Sequence, residues 1–194
     1  MKLVPRRLLV LLALAGIVVA VLVVVPLARR AIQHFTLPLE YASIIRQQAH
    51  DKRLDPALVA AVIYSETRFR PRTSPTGALG LMQIEPATAT FLAHRSGATS
   101  FTVSDLGTPQ VNIAYGSYYI RYLLNLYDGN IVMALAAYNG GETNVDHWVQ
   151  RLKQSHQRFR IADIPLTQTR LYVQEVLSKQ QAYRAHWARA LGYT

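Results

Sequence analysis

Eleven carboxylates are spread over 194 residues that contain no cysteine. Most of them stand where acids ordinarily stand. Asp55 precedes a proline as a helix cap, Asp105 and Asp128 fall in turns, and Asp51, Glu142, Asp146 and Glu175 read as charges on helix surfaces. Glu66 differs. It follows the apolar run Ala57 to Ile63 and precedes a Gly/Pro-rich loop with no further acid until Glu85. A carboxyl held there against Val62, Ile63 and Phe69 loses hydration, which raises its pKa. A general acid working at neutral pH needs that shift. A solvated glutamate at a helix end is the ordinary alternative, and the spacing alone leaves both readings open. The missing cysteines exclude a thiol nucleophile, a thiolate zinc site and a disulfide framework. His94, His147, His156 and His186 are isolated, without ligand spacing, so no metal or organic cofactor is expected.

The residues around Glu66 narrow the choice. The chain reads Ser65-Glu66-Thr67-Arg68-Phe69, then Ser74-Pro75-Thr76-Gly77-Ala78-Leu79-Gly80-Leu81-Met82-Gln83, and later Ala136-Ala137-Tyr138-Asn139-Gly140-Gly141. A weaker fourth segment runs from Ile164 to Val173. In this order the motifs resemble the soluble (SLT) type of lytic transglycosylase domain, within the lysozyme-like superfamily. The resemblance covers roughly residues 41–180 and implies an all-α, lysozyme-like fold with little or no sheet. It aligns Glu66 with the family's catalytic acid. It assigns Ser74, Gly80, Met82, Gln83, Tyr138, Asn139 and Tyr172 to substrate binding near that acid. The partner it implies is the glycan strand of bacterial peptidoglycan, and the reaction is cleavage of the β-1,4 bond between N-acetylmuramic acid and N-acetylglucosamine. The product is a 1,6-anhydro-muramyl end. One carboxylate suffices because the muramyl 6-hydroxyl attacks within its own sugar, and well-oriented reactions of this kind reach effective molarities of about 10⁵–10⁸ M.

Three departures from the family pattern concern fine positioning. Gln168 stands where a glutamate is usual. Glu85 stands where methionine is common, either as a second carboxylate near the groove or as a solvated acid at a helix start. The interval from Glu66 to Ser74 is about one residue short. A lysozyme-like hydrolysis and a non-catalytic wall-binding role in a secretion assembly are the competing readings.

The elements that must hold these residues are helical. Tyr41 to Lys52 is amphipathic, and Asp55-Pro56 opens a helix that ends near Thr67 or Arg68. Pro86 begins a helix to about Arg95 that Gly97 closes, and Pro109 begins another through Tyr127. A short helix from Ile131 to Tyr138 ends at Asn139-Gly140-Gly141, and two more cover about 143–153 and 168–190. Residues 69–82 read as loop. Tyr115, Tyr118, Tyr119 and Tyr122 share one helix face, as a packing stripe or a platform for sugars.

Before this domain, Leu8 to Ala28 is uncharged and long enough for one transmembrane helix. Residues 1–30 are therefore expected to be a signal anchor, 31–40 a juxtamembrane spacer and 41–194 the catalytic domain. Lys2, Arg6 and Arg7 would keep the N-terminus in the cytoplasm, giving a single pass through the bacterial inner membrane with the domain outside. The net charge of +10 includes five cations in the first thirty residues, which hold no acid. The remaining sixteen cations against eleven anions suit an anionic wall or bilayer and do not indicate nucleic acid. Arg151, Lys153, Arg158 and Arg160 would touch lipid headgroups or acidic stem peptides, or form a solvated face. Recruitment by an envelope machine stays open.

Overall fold

The computed structural model describes residues 6–25, 27–28, 36–153 and 159–193. The chain divides into two compact units, Met1–Pro38 and Leu39–Thr194. Lys2, Arg29, Arg30, His156, Arg158 and the spacer residues 31–35 lie outside the described residues.

In the first unit α1 covers Arg6–Val19 and passes into a π-helical segment, Ala20–Val24. The expected transmembrane helix over 8–28 is not found: among the described residues no helix is long and apolar enough to cross a membrane. Only 14 residues, Arg6–Val19, keep the α-helical pattern. Beyond Val19 the hydrogen bonding changes to the wider π pattern, with Val25 N–H reaching the Ala20 carbonyl. The expected single-pass inner-membrane location therefore lacks a spanning helix among the described residues, and the expected bilayer partner is not shown.

The second unit is helical. Its main helices are α2 (Ala42–Asp51), α3 (Pro56–Thr67), α4 (Pro86–Ser96), α5 (Pro109–Leu126), α6 (Ile131–Gly140), α7 (Glu142–Lys153) and α8 (Thr167–His186), followed by the short α9 (Ala188–Leu191). Proline stands in the first turn of α3, α4 and α5, where its missing N–H costs nothing. The caps are side chains chosen for the task. Asp55 accepts from Ala57 N at 2.9 Å, and Asn130 accepts from Val132 N and Met133 N, both at 3.1 Å. The expected helix over 168–190 is interrupted at Trp187, whose φ of −117° and ψ of 21° leave the helical region.

Helix α3 is apolar on every side, and Ala57 through Tyr64 are all buried. It is the central helix, packed most extensively against α8. Burial on all sides fixes its axis and therefore the point at which Glu66 leaves it.

The segment read as loop contains a small antiparallel ribbon. Strands β1 (Arg72–Thr73) and β2 (Leu79–Gly80) pair Arg72 with Gly80 and Thr73 with Leu79. Leu79 also bridges Ile84, with N–O distances of 2.9 and 3.0 Å in the two directions.

Candidate active site

The end of α3 is shaped by two consecutive non-glycine residues in the left-handed region, Arg68 at φ 52° and Phe69 at φ 63°. Such a pair is unfavourable unless the surroundings impose it. Here burial of the Phe69 ring, 6.2 Å from the Tyr183 ring, supplies the constraint. Thr67 adds a second tie, its hydroxyl donating to the Leu81 carbonyl at 2.7 Å. The chain therefore turns sharply just beyond Glu66. The Glu66 carbonyl, at the helix end, accepts from the Arg72 guanidinium at 3.1 Å, a cation placed where the helix dipole favours it.

The Glu66 carboxyl is partly buried, and burial pushes its pKa up to about 7. Tyr172 and Arg72 draw it down, and Glu175 adds a smaller upward push. The Tyr172 hydroxyl is buried beside the carboxyl but makes no hydrogen bond of regular geometry. Burial first, and the Glu66 charge second, hold the Tyr138 and Tyr172 phenols well above their ordinary pKa. Both remain protonated donors at any working pH.

A groove of about 510 Å³ opens over Glu66. The structure brings Ser74, Gln83, Tyr138 and Asn139 to its wall from two separate stretches of chain. Glu85 and Gln168, the two departures from the family pattern, also line it, and so does Tyr119. Gly80, Met82 and Tyr172 are not on the lining. Met82 is fully buried, and its backbone does the structural work: its N–H donates to Asn112 Oδ1 at 2.8 Å, and its carbonyl accepts from the Tyr138 hydroxyl at 2.8 Å. Gly80 has φ +79°, and a Cβ there would stand 2.1 Å from Asn112 Nδ2. The glycine makes room for Asn112 rather than opening the groove to a ligand.

Gln83 adopts φ 48° and donates its amide to the Arg72 and Gly80 carbonyls, each at 2.8 Å. Both amide hydrogens are spent on the ribbon, which leaves Oε1 as the acceptor on offer to a ligand. The Ser74 hydroxyl accepts from Ala78 N at 2.9 Å and pairs with Thr76 at 2.9 Å, so it serves the turn. At the other wall Gly141 ends α6 with φ 85° and ψ 147°, a conformation open essentially to glycine alone.

Four residues that support the site carried no signal strong enough to be singled out. Asn112, wholly buried on α5, satisfies Met82 N and donates to the Leu79 and Leu106 carbonyls at 2.9 and 3.0 Å. Gly116 leaves space for the Met82 sulfur, 2.3 Å from where its Cβ would be. Thr67 and Arg72 tie the helix end to the ribbon.

The tyrosine stripe divides. Tyr119 faces the groove, while Tyr115 stacks on Phe101 at 4.4 Å and Tyr122 packs on Phe91 at 5.2 Å. Arg160 pairs with Asp163 at 3.4 Å. A larger cavity of about 700 Å³, between Leu126 and Phe159, is lined by neither Glu66 nor the motif residues.

The transglycosylase SLT domain family matches residues 43–160 of this chain. The soluble lytic murein transglycosylase of Escherichia coli K12 is 31% identical over 153 residues, which is 76% of this chain and 23% of that protein. The transglycosylase of phage PRD1 is 38% identical over 116 residues, 59% of this chain and 40% of the phage protein. Among solved structures, the lytic transglycosylase Slt of Pseudomonas aeruginosa, as an inactive mutant, superposes with a TM-score of 0.73 at 29% identity, covering 80% of this chain and 26% of that one. The 70 kDa E. coli soluble lytic transglycosylase superposes at 0.72 with 27% identity, covering 83% and 27%. This chain thus spans about a quarter of the length of the first relatives it matches. The E. coli relatives are named soluble, which runs against the inner-membrane expectation. With the family matching well over half of its length and the fold shared at these scores, the chain belongs to the transglycosylase SLT domain family.

Proposed function

We propose that the unit from residue 41 onward cleaves peptidoglycan by lytic transglycosylation, with Glu66 as the single acid–base group. The observation that carries this reading is a partly buried glutamate, pushed up to about 7, facing a groove walled by polar side chains. At neutral pH a substantial fraction of Glu66 is protonated and can give its proton to the glycosidic oxygen. The bond from C1 of the muramyl sugar to that oxygen then breaks, and the glucosamine leaves with a 4-hydroxyl. The Glu66 carboxylate next takes the proton of the muramyl 6-hydroxyl as its oxygen bonds to C1. Glu66 ends as it began, and the product carries a 1,6-anhydro ring. The groove residues Ser74, Gln83, Tyr138 and Asn139 would orient the sugars, with Gly80, Met82 and Tyr172 holding the wall behind them. The relatives' names as murein transglycosylases support the substrate class, and a 70 kDa soluble lytic transglycosylase similar to this chain was solved in complex with bulgecin A.

Glu85 on the same groove favours a second reading, hydrolysis, in which that carboxylate would activate water across from Glu66. Digestion of purified peptidoglycan by the full chain, followed by mass spectrometry of the fragments, separates the two. Anhydro-muropeptides that disappear with Glu66→Gln support transglycosylation. Reducing ends that disappear with Glu85→Gln support hydrolysis, and intact sacculi in the presence of folded protein defeat both.

A further inference from the structure

Glu142 lies beyond the groove's polar motif residues, in the first turn of α7, yet it is tied to the groove wall by a short chain of contacts. Its Oε1 accepts from the Tyr119 hydroxyl at 3.3 Å and its Oε2 from the Tyr122 hydroxyl at 3.1 Å. Its backbone carbonyl accepts from Tyr127 at 3.5 Å. Tyr119 and Tyr122 are three residues apart on α5, so one carboxylate reaches two phenols on the same helix face. The Tyr119 ring in turn lies 5.3 Å from the Tyr138 ring, tilted by 42°. Tyr138 donates to the Met82 carbonyl, and both Tyr119 and Tyr138 line the groove over Glu66.

We propose that Glu142 is a positioning residue: by clamping the Tyr119 hydroxyl it fixes the Tyr119 ring, and through that ring it fixes Tyr138 against the reaction site. The physical reason is that ring packing, here against Tyr138 and Tyr122, still lets a phenol slide and pivot in its plane. A charged acceptor at its hydroxyl removes that freedom more firmly than water does. The start of α7 suits an anion, and the adjoining Gly141 turn lets α7 begin directly beside the groove. Tyr122, bonded to the other oxygen, packs outward against Phe91 and does not line the groove. Its ring also lies 6.1 Å from the Tyr119 ring, a packing that Tyr122→Phe keeps while removing only the hydroxyl.

The proposal rests on the transglycosylase reading for its kinetic arm but not for its structural one. In the full chain, Glu142→Ala should lower kcat on soluble glycan strands about 10-fold with KM changed less than about 2-fold, since misplacement of the wall degrades the reacting geometry. Tyr119→Phe should reproduce that loss. The double variant should be no worse than Glu142→Ala alone, because both changes remove the Tyr119–Glu142 contact. Glu142→Gln, which keeps a carbonyl acceptor, should recover to within about 3-fold of the parent. Tyr122→Phe should stay within about 2-fold. The structural arm uses ¹³C-labelled tyrosine NMR, with Tyr138 assigned through Tyr138→Phe. The Tyr138 ring signals should shift in Glu142→Ala and Tyr119→Phe alike. Unmoved Tyr138 signals, additive losses in the double variant, or a loss confined to KM would overturn the proposal. A parent protein that leaves glycan intact while its Tyr138 signals respond as stated would defeat the reaction and sustain the clamp.

Discussion

The Tyr172 hydroxyl lies buried beside the Glu66 carboxyl and draws its pKa down while the surrounding apolar side chains push it up. The position near 7 is the balance of these opposing effects, with burial the larger. Tyr172→Phe keeps the burial and removes the hydroxyl. The Glu66 pKa should then rise, and the alkaline limb of kcat/KM should move up with it. Titration of the Glu66 carboxyl by ¹³C NMR checks the first statement, and the pH–rate profile the second.

The same raised pKa sets a sign for stability. Between pH 4.5, the ordinary glutamate value, and about 7, the folded protein holds a proton on Glu66 that the unfolded chain has released. Stability from this group is therefore full below that window and falls as pH rises through it. Glu66→Gln, which cannot ionise, should be more stable than the parent by about 1–3 kcal/mol at pH 8 and no more stable at pH 4. Urea unfolding at the two pH values measures the difference. An equal effect at both would mean that burial does not raise this pKa.

Asn112 satisfies three backbone groups of the groove's supporting loops from a fully buried position. Asn112→Ala leaves them unpaired and should cost about 2–4 kcal/mol. Gly80→Ala should cost a similar amount by another route, since its Cβ would press on Asn112 and on the Leu106 carbonyl from a φ of +79°. Both should also lower glycan cleavage by at least about 10-fold, because the carbonyl that holds Tyr138 belongs to the loop they anchor. Denaturation curves and turnover on the same preparations test both effects.

Asp55 caps α3 and also gathers the C-terminal segment, accepting from Gln180 at 2.5 Å and from Arg184 and Tyr193. Burial pushes its carboxyl up, but these hydrogen bonds outweigh it and hold the pKa below the ordinary 3.8. Its contribution is present above that value and is lost as pH falls through the lower, folded one. Asp55→Ala should cost about 1–3 kcal/mol at pH 7, and the gap from the parent should narrow as pH falls below the ordinary 3.8. Thermal unfolding across that range tests the statement. The groove residues are not touched by the change, so glycan cleavage at neutral pH should persist wherever the variant is folded.

Much of the fold was legible because its signals are local. Prolines in first turns, the capping Asp55 and the Gly141 stop marked helix ends to within a few residues. The paired strands inside 72–80 were missed because two-residue strands have no period to read; they form only when Gln83 and Ile84 return to close the ribbon. The first thirty residues show the limit of composition. Leu8 to Ala28 is apolar enough to suggest a span, yet hydrophobicity does not dictate the hydrogen-bonding pattern, and the α-helix gives way to a π segment after Val19.

The sequence by itself determined that Glu66 would sit at the end of a buried apolar helix, before a Gly/Pro segment, and that Tyr138 and Asn139 would close another helix. Those are statements about neighbours in the chain, and local propensity settles them. Which residues face the groove was decided only by the tertiary structure. Met82 and Gly80 turned inward to meet Asn112 and Gly116, while Gln168 and Tyr119 came to the wall from distant positions. Glu142, which read as a surface charge, became the acceptor for two tyrosines. Such roles arise where separate helices pack, and every buried polar group must then find its partner across the chain.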